Sequence, residues 1–268
     1  MTTAETFRNL HAGPSPLVLP NAWDAGSARM IESLGAKAIA TTSAGVAWAR
    51  GYPDGDALPA DQIVAIAREI ARVIRVPLTV DVESGYSDDP AAVAQLVGRL
   101  VVASGAVGIN IEDGAGKPEL LCSKIQAARK AAARENRDLF INARTDVYLR
   151  GLATGPAAVD EVVRRARLYR AAGCDGLFVP CIADATQIKA IAAAVAPMPL
   201  NVMLIPGLPS TGELQALGVR RLSAGAAIAA AAFGLAQRLA RDFLADARSD
   251  FFATSVDYGA TNKLFQGR

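Results

Sequence analysis

The chain has 268 residues, of which 51% are hydrophobic and 20% charged. That is the length of one (β/α)₈ barrel or of two small domains; with aromatics at only 6%, Ala, Val, Leu and Ile must fill the core. The net charge of +2, with Lys and Arg scattered, excludes the massed basic surface of a nucleic-acid-binding protein.

Residues 1–11 contain Glu5 and Arg8 and no apolar run, so no signal peptide is expected there. His11 is the only histidine, which argues against Ser-His-Asp and Cys-His nucleophilic sites, His-ligated zinc and a His general base. It reads as structural or simply exposed. Short β-rich runs then alternate with Ala-rich amphipathic stretches. The runs fall at 17–23, 38–43, 78–83, 108–113, 139–146, 176–181, 200–204 and 221–224. Eight strands, each followed by a helical pattern, imply a parallel α/β sheet closed into a (β/α)₈ TIM barrel. Gly35 ends the first helix as a C′ glycine would. Over 60–74, Ile63, Ile66, Ile70 and Ile74 recur at helical spacing and define one buried stripe. Asp89 before Pro90 is an N-cap with proline at the first helical position, and Val93, Leu96, Val97 and Leu100 form the apolar face. Thr154 to Pro156 open another helix, which stops at Gly173.

The longest apolar run, 224–235, is shorter than the roughly 18–20 residues that span a bilayer and reads as a core helix, so no membrane partner is expected. The final barrel helix is expected at about 226–245, and the stretch 237–248, with three Arg and two Asp, as a solvated face. Cys122, Cys174 and Cys181 show neither a disulfide framework nor metal-ligand spacing, and a cytoplasmic location is the default expectation. The chain reads as a single domain over 1–268, with 246–268 as a C-terminal helical extension. Phe251, Phe252, Val256, Tyr258, Leu264 and Phe265 are too apolar for a free tail, so it should pack on the barrel or on a neighbouring subunit.

Active sites of such barrels are built at the carboxyl ends of the strands. Read in order, those ends offer Asn21, Trp23 and Asp24; Ser43, Ala44 and Gly45; Asp81, Glu83 and Ser84; Glu112 and Asp113; Arg144, Thr145 and Asp146; with Asn201 on the seventh strand. Asp81 and Glu83 are two apart and share a face. Beside Glu112 on the next strand, the three carboxylates would repel unless protonated or neutralised. A hard cation is the simplest neutraliser, and Mg²⁺ suits because it takes one or two carboxylates and keeps several waters. Mn²⁺ is the alternative ion. The competing account is that one of the three caps a helix or pairs with Arg144. Residues 43–45 would present successive N–H groups to a carboxylate or oxyanion, though small residues after a strand are also ordinary turn material. A buried Arg144 fork among acids must bind carboxylates, the protein's own or a substrate's. Trp23 is either a pocket wall or plain core.

Five segments carry a recognisable pattern: Leu19-Pro-Asn-Ala-Trp-Asp24, Thr42-Ser-Ala-Gly45, Asp81-Val-Glu-Ser-Gly-Tyr86, Ile109-Asn-Ile-Glu-Asp113 and Ile141-Asn-Ala-Arg-Thr-Asp146. In order and spacing they resemble the isocitrate lyase and phosphoenolpyruvate mutase superfamily, over about residues 17–245. The resemblance implies cleavage or formation of C–C or P–C bonds next to a 2-oxo acid, with Mg²⁺ stabilising an enolate. It implies Asp81 as direct metal ligand, with Glu83, Glu112 and Asp54 reaching the metal through water. It implies residues 43–45 as the substrate-carboxylate nest and Arg144 as the clamp on substrate oxygens. Glu83 stands where an aspartate is common, and Asn110 where some lyases carry histidine. The lyase branch's Lys-Lys/Arg-Cys-Gly-His loop is missing. In its place stands Gly114-Ala-Gly-Lys-Pro-Glu-Leu-Leu-Cys-Ser-Lys124, with helix expected after it and Cys122 already helical. Lys117 is the one candidate for the lid's basic residue.

The expectation is therefore a Mg²⁺-dependent lyase, decarboxylase or hydrolase acting on an oxaloacetate-like 2-oxo acid or dicarboxylate. Arg144, Asp54, Glu112 and Lys117 are the candidate catalytic groups. Residues 43–45, Asp81, Arg144, Asn201 and Trp23 are candidate substrate contacts. The alternatives are phosphonopyruvate-type P–C chemistry and a non-catalytic barrel that binds a 2-oxo acid. The resemblance also implies paired subunits that exchange the eighth helix, as a dimer or a homotetramer.

Overall fold

A computed structural model describes residues 1–246 and 251–266, without the side chains of residues 251 and 252. Nine strands are all parallel: β1 (Leu17–Leu19), β2 (Asn21–Ala22), β3 (Ile39–Thr41), β4 (Leu78–Asp81), β5 (Gly108–Glu112), β6 (Phe140–Arg144), β7 (Gly176–Val179), β8 (Leu200–Met203) and β9 (Val219–Ser223). They fill the eight predicted runs, because the first run is split at Pro20. Lacking an N–H, Pro20 interrupts the ladder, so β1 pairs with β9 while β2 pairs with β3. One run of chain thus serves both edges and closes the expected (β/α)₈ barrel. Asn21 stitches the seam: its Nδ2 donates to the Thr41 carbonyl (2.7 Å) and its Oδ1 accepts from the Gly225 amide (3.0 Å).

The strands are followed in turn by α2 (Ala25–Ser33), α4 (Ala60–Val73), α5 (Pro90–Ser104), α6 (Pro118–Arg134), α7 (Gly155–Ala172), α8 (Ala185–Val195), α9 (Thr211–Ala216) and α10 (Ala227–Asp246). Ile63, Ile66 and Ile70 form the buried stripe of α4, and Asp89 caps α5 by accepting from the Ala91 amide (2.9 Å). One boundary differs from expectation. Pro118 starts α6 six residues before Lys124, since proline suits the first helical position. Cys122 is therefore well inside the helix, and the loop after β5 spans only 113–117.

Two helices were not legible beforehand, α1 (Thr3–Ala12) and the short α3 (Ser43–Ala49). Helix α1 plugs the amino end of the barrel. Phe7 is fully buried, its ring edge-on to Phe140 at 5.5 Å, and His11 stacks on Phe140 at 4.3 Å. Arg8 ties the plug to Asp138 (2.6 Å) and Asp175 (2.7 Å). A Cβ on Gly108 would come within 2.9 Å of the Phe7 ring and 2.7 Å of Thr79 Oγ1, so only glycine admits the plug.

Helix α10 stands off the barrel: Ala229 is its one buried residue, while Phe233 and Leu244 are exposed. Exposed apolar side chains also mark the outer barrel beside it, at Val18 and Leu204, next to Ile228 of the helix itself. Two short helices follow, α11 (Phe251–Thr254) and α12 (Tyr258–Phe265). The tail folds back at α12, where Arg29 Nε of α2 donates to the Leu264 carbonyl (2.9 Å) and Leu264 is half-buried. The Phe251 and Phe252 side chains, expected near a subunit interface, lie outside the described residues. Among the described residues no helix is long and apolar enough to cross a membrane.

His11 is thus structural. Its Nδ1 lies 2.8 Å from the Phe7 carbonyl, an acceptor only, so Nδ1 carries the proton. Burial pushes the imidazole down to about 3, with the Arg221 charge adding to the effect. The unfolded chain therefore takes up a proton near pH 6.5 that the folded chain refuses until about pH 3. Stability should fall as pH drops through that window, by up to about 1.4 kcal/mol per unit. Urea titrations of the wild type and of His11→Gln should show a distinctly shallower acid loss in the variant.

Candidate active site

The carboxyl ends of β4, β5 and β6 bring Asp81, Glu112 and Arg144 together. Strand register places Asp81 beside Asn110 and Glu112 beside Arg144. Arg144 Nη1 pairs with Glu112 at 2.7 Å, while its Nε and Nη2 donate to the two oxygens of Asp146 at 2.6 and 3.1 Å. A guanidinium carries five N–H donors, so two remain for a ligand. Of the two accounts weighed for the acids, pairing with Arg144 holds for Glu112. Burial nevertheless pushes the Glu112 carboxyl up to about 8; Asp81, Asp146 and Glu83 add to the rise and Arg144 opposes it.

Asp81 is buried at the floor of this group. Its amide donates to Thr41 Oγ1 (2.8 Å), and its carboxylate accepts from the amides of Glu83 (3.2 Å) and Ser43. Burial raises its carboxyl, the Asp54 charge adds, and Arg144 opposes. Residues 43–45 open α3 ahead of its first internal bond, Val46 N–H to Thr42 O (3.0 Å). Gly45 has a packing reason of its own: a Cβ would lie 2.8 Å from Thr42 Cγ2, 2.9 Å from Ala229 Cβ and 3.0 Å from Trp23 Cβ. Trp23, half-buried against the core, thus adjoins the 43–45 turn.

The model for phosphoenolpyruvate phosphomutase matches residues 7–244. The chain belongs to the isocitrate lyase/phosphoenolpyruvate mutase superfamily. A putative phosphonomutase from Burkholderia cenocepacia superposes with a TM-score of 0.84 at 40% identity, covering 89% of this chain and 99% of that one. An oxaloacetate decarboxylase of a Bradyrhizobium species is 31% identical over 81% of this chain and 76% of its own. Oxaloacetate acetylhydrolase in complex with its product oxalate superposes with a TM-score of 0.85 at 25% identity, covering 98% and 93% of the chains. The superfamily comprises lyases, mutases and hydrolases that break or form C–C and P–C bonds, and this chain is an enzyme of that group.

Against that family pattern Glu83 is committed elsewhere. One carboxylate oxygen accepts from the amides of Gly55 (2.8 Å) and Asp56, and the other from the Tyr86 hydroxyl (2.9 Å). Asp56, Glu83 and Tyr86 all take φ near +50 to +60°, a left-handed backbone that costs non-glycine residues on the order of 1 kcal/mol or more each. The buried Lys124 Nζ supports the turn by donating to the Ser84 carbonyl (2.9 Å). Glu83 thereby ties down loop 51–58, which carries the exposed Asp54 within electrostatic reach of Asp81.

A divalent cation fits these residues. Asp81, Glu112, Glu83 and Asp54 put mutually repelling negative charge at one mouth, and every donor is a hard oxygen. Among the described residues no three ligand side chains come together as a closed cage. Asp81 would therefore hold the ion directly with water completing the shell, as Mg²⁺ prefers.

The remaining candidates scatter. Lys117 is exposed at the start of α6, and the half-buried Cys122 has its thiol raised by burial, the opposite of an activated nucleophile. Asn201 is buried and accepts from the Ser223 hydroxyl (3.1 Å). Asp113 faces outward, anchoring α7 through Arg165 (2.8 Å) and the Tyr169 hydroxyl. Sequence reasoning missed Lys124, Tyr86, Asn142 and Arg221. Strand parity could have found the last two, which stand two residues before Arg144 and Ser223 and so point inward with them.

Glu83→Ala should remove the acceptor that ties the Gly55 and Asp56 amides to the barrel and so loosen their loop. Limited proteolysis should then cut within 51–58 faster than in the wild type, while cleavage elsewhere is unchanged.

Proposed function

We propose that the protein is a Mg²⁺-dependent lyase of the decarboxylase type, which breaks the C3–C4 bond of an oxaloacetate-like 2-oxo acid, one carbon away from the 2-oxo group. The observation that carries this reading is the convergence of Asp81, Glu112 and Arg144 beneath a loop, 113–117, too short for the Cys-Gly-His acid. Decarboxylation releases CO₂ and leaves the bonding electrons on the remaining fragment as an enolate, so no acid is needed for the departing group. Retro-aldol cleavage of an isocitrate has no such freedom. The similarity to an oxaloacetate decarboxylase and an oxaloacetate acetylhydrolase supports the same substrate class.

Bound Mg²⁺ would supply Lewis-acid stabilisation of the developing enolate charge. The chain's own residues do the rest. The amides of 43–45 hold the far carboxylate oxygen of the substrate, with Trp23 as a wall. Arg144 directs its two remaining N–H donors at the reacting oxygens. Asp54 and Glu112 would hold the ion through water, Glu83 would serve it only by fixing the Asp54 loop, and Lys117 borders the entrance. The single-unit reading of 1–268 with 246–268 as extension belongs to this proposal, as does a cytoplasmic location. Phosphonopyruvate-type chemistry is the second reading, supported by the similarity to a putative phosphonomutase.

Asp81→Ala should abolish Mg²⁺ binding by calorimetry while the circular-dichroism spectrum is kept, and with it oxaloacetate turnover above the metal-catalysed background. Unchanged Mg²⁺ affinity would sink the site. Efficient cleavage of isocitrate or 2-methylisocitrate would sink the reading of the loop and promote Lys117 or Cys122.

The same reading assigns α10 to a second copy of this chain. The helix leaves Ile228, Phe233 and Leu244 exposed, and the outer barrel beside it offers Val18 and Leu204. Exchange between two copies buries both faces at once. Light scattering should give a dimer or tetramer for the intact protein. A monomer, or an unchanged assembly after Leu244→Glu with Phe233→Glu, would defeat it.

A further inference from the structure

Arg221 is the anomaly of the barrel interior. It is 1% exposed and takes part in no ion pair among the described residues. Its Nε donates to Ser223 Oγ (3.2 Å) and its Nη2 to Asn110 Oδ1 (3.2 Å), while Nη1 has no partner. Asn201, its register neighbour on β8, likewise leaves its buried Nδ2 unpartnered. Strand β5 lies four places from β9 round an eight-place ring, so the side chain crosses the barrel axis to reach Asn110. Asn110 is in turn the register neighbour of Asp81 and accepts from Asn142 Nδ2 (3.0 Å).

An isolated guanidinium in a dry core is costly, and a core without a use for it would favour an apolar side chain of similar volume. Its charge is felt in both directions along the axis. It is part of what depresses His11 below, and Asp81 above is the one charge that counters the lowering of Arg221 by burial. The cation thus stands under the mouth where Asp81, Glu112 and Arg144 meet, insulated from solvent screening.

We propose that Arg221 is a positioning residue for specificity: a fixed positive charge beneath the site that selects a doubly charged acid over a singly charged one. It acts through Asn110, Ser223 and its field rather than by touching the ligand. The inference rests on the proposed function and adds the charge class of its substrate. It carries an unusual pair of signs. The same charge that attracts a dianion repels a divalent cation, so neutralising it should weaken the first and tighten the second.

The test compares wild type, Arg221→Met, Arg221→Gln and the charge-keeping Arg221→Lys by calorimetry. The probes are Mg²⁺ alone, oxalate, and oxamate, a monoanion of nearly the same shape. In a folded neutral variant, oxalate affinity should drop by about tenfold, oxamate by much less, and Mg²⁺ alone should bind severalfold tighter. Arg221→Lys should keep the wild-type oxalate-to-oxamate ratio. Equal losses for both acids, or weaker Mg²⁺ binding, would mark Arg221 as a packing residue and overturn the proposal, as would failure of both neutral variants to fold. If the wild type bound no Mg²⁺, the proposed function would fall, and the oxalate-to-oxamate ratio without the ion would still judge Arg221.

Discussion

The inside of a closed eight-stranded barrel is walled off from bulk solvent, so a charge that points inward must be answered by another charge or a dipole. That constraint organises the molecule. At the amino end it is met by exclusion: Phe7, Phe140 and a neutral His11 fill the ring, and Arg8 meets its carboxylates outside it. Halfway along, amides take over, with Asn110, Asn142 and Asn201 bonded to one another's neighbours. Arg221 is the one full charge in that layer; the others gather at the carboxyl end, and there Arg144 does not balance the acids around it. The excess is what makes this end a site rather than a stable plug.

The barrel itself was legible because both of its periods are written into the chain. Strand runs such as 108–113 and helix stripes such as Ile63, Ile66 and Ile70 each report a neighbour they must bury against. The split at Pro20 was visible as a residue but not as a consequence, since a missing N–H matters only once both flanking strands are placed. Helix α1 was hidden for another reason. Its apolar content is slight, and its burial comes from plugging a hole that exists only after closure.

The residues that converge on the candidate site were legible singly, and their pairings were not. Asp81, Glu112 and Arg144 stand at strand ends where parity points them inward. Glu83 shows the limit. One methylene beyond an aspartate carries its carboxylate to the amides of Gly55 and Asp56, contacts set by a loop whose path no local pattern encodes. Arg221 carries no local signal beyond strand parity, because it stands two residues before a strand end and its contact lies four strands away at Asn110.

The seat of Gly45 ties the outside of the protein to its inside. Ala229, on a helix that otherwise barely touches the barrel, would lie 2.9 Å from any β-carbon placed on Gly45, with Trp23 on the far side. Bulk added at 229 would press on the turn that opens α3. Position 229 thus belongs to the packing of that turn as Thr42 and Trp23 do, and a change there reaches residues 43–45 from outside the barrel.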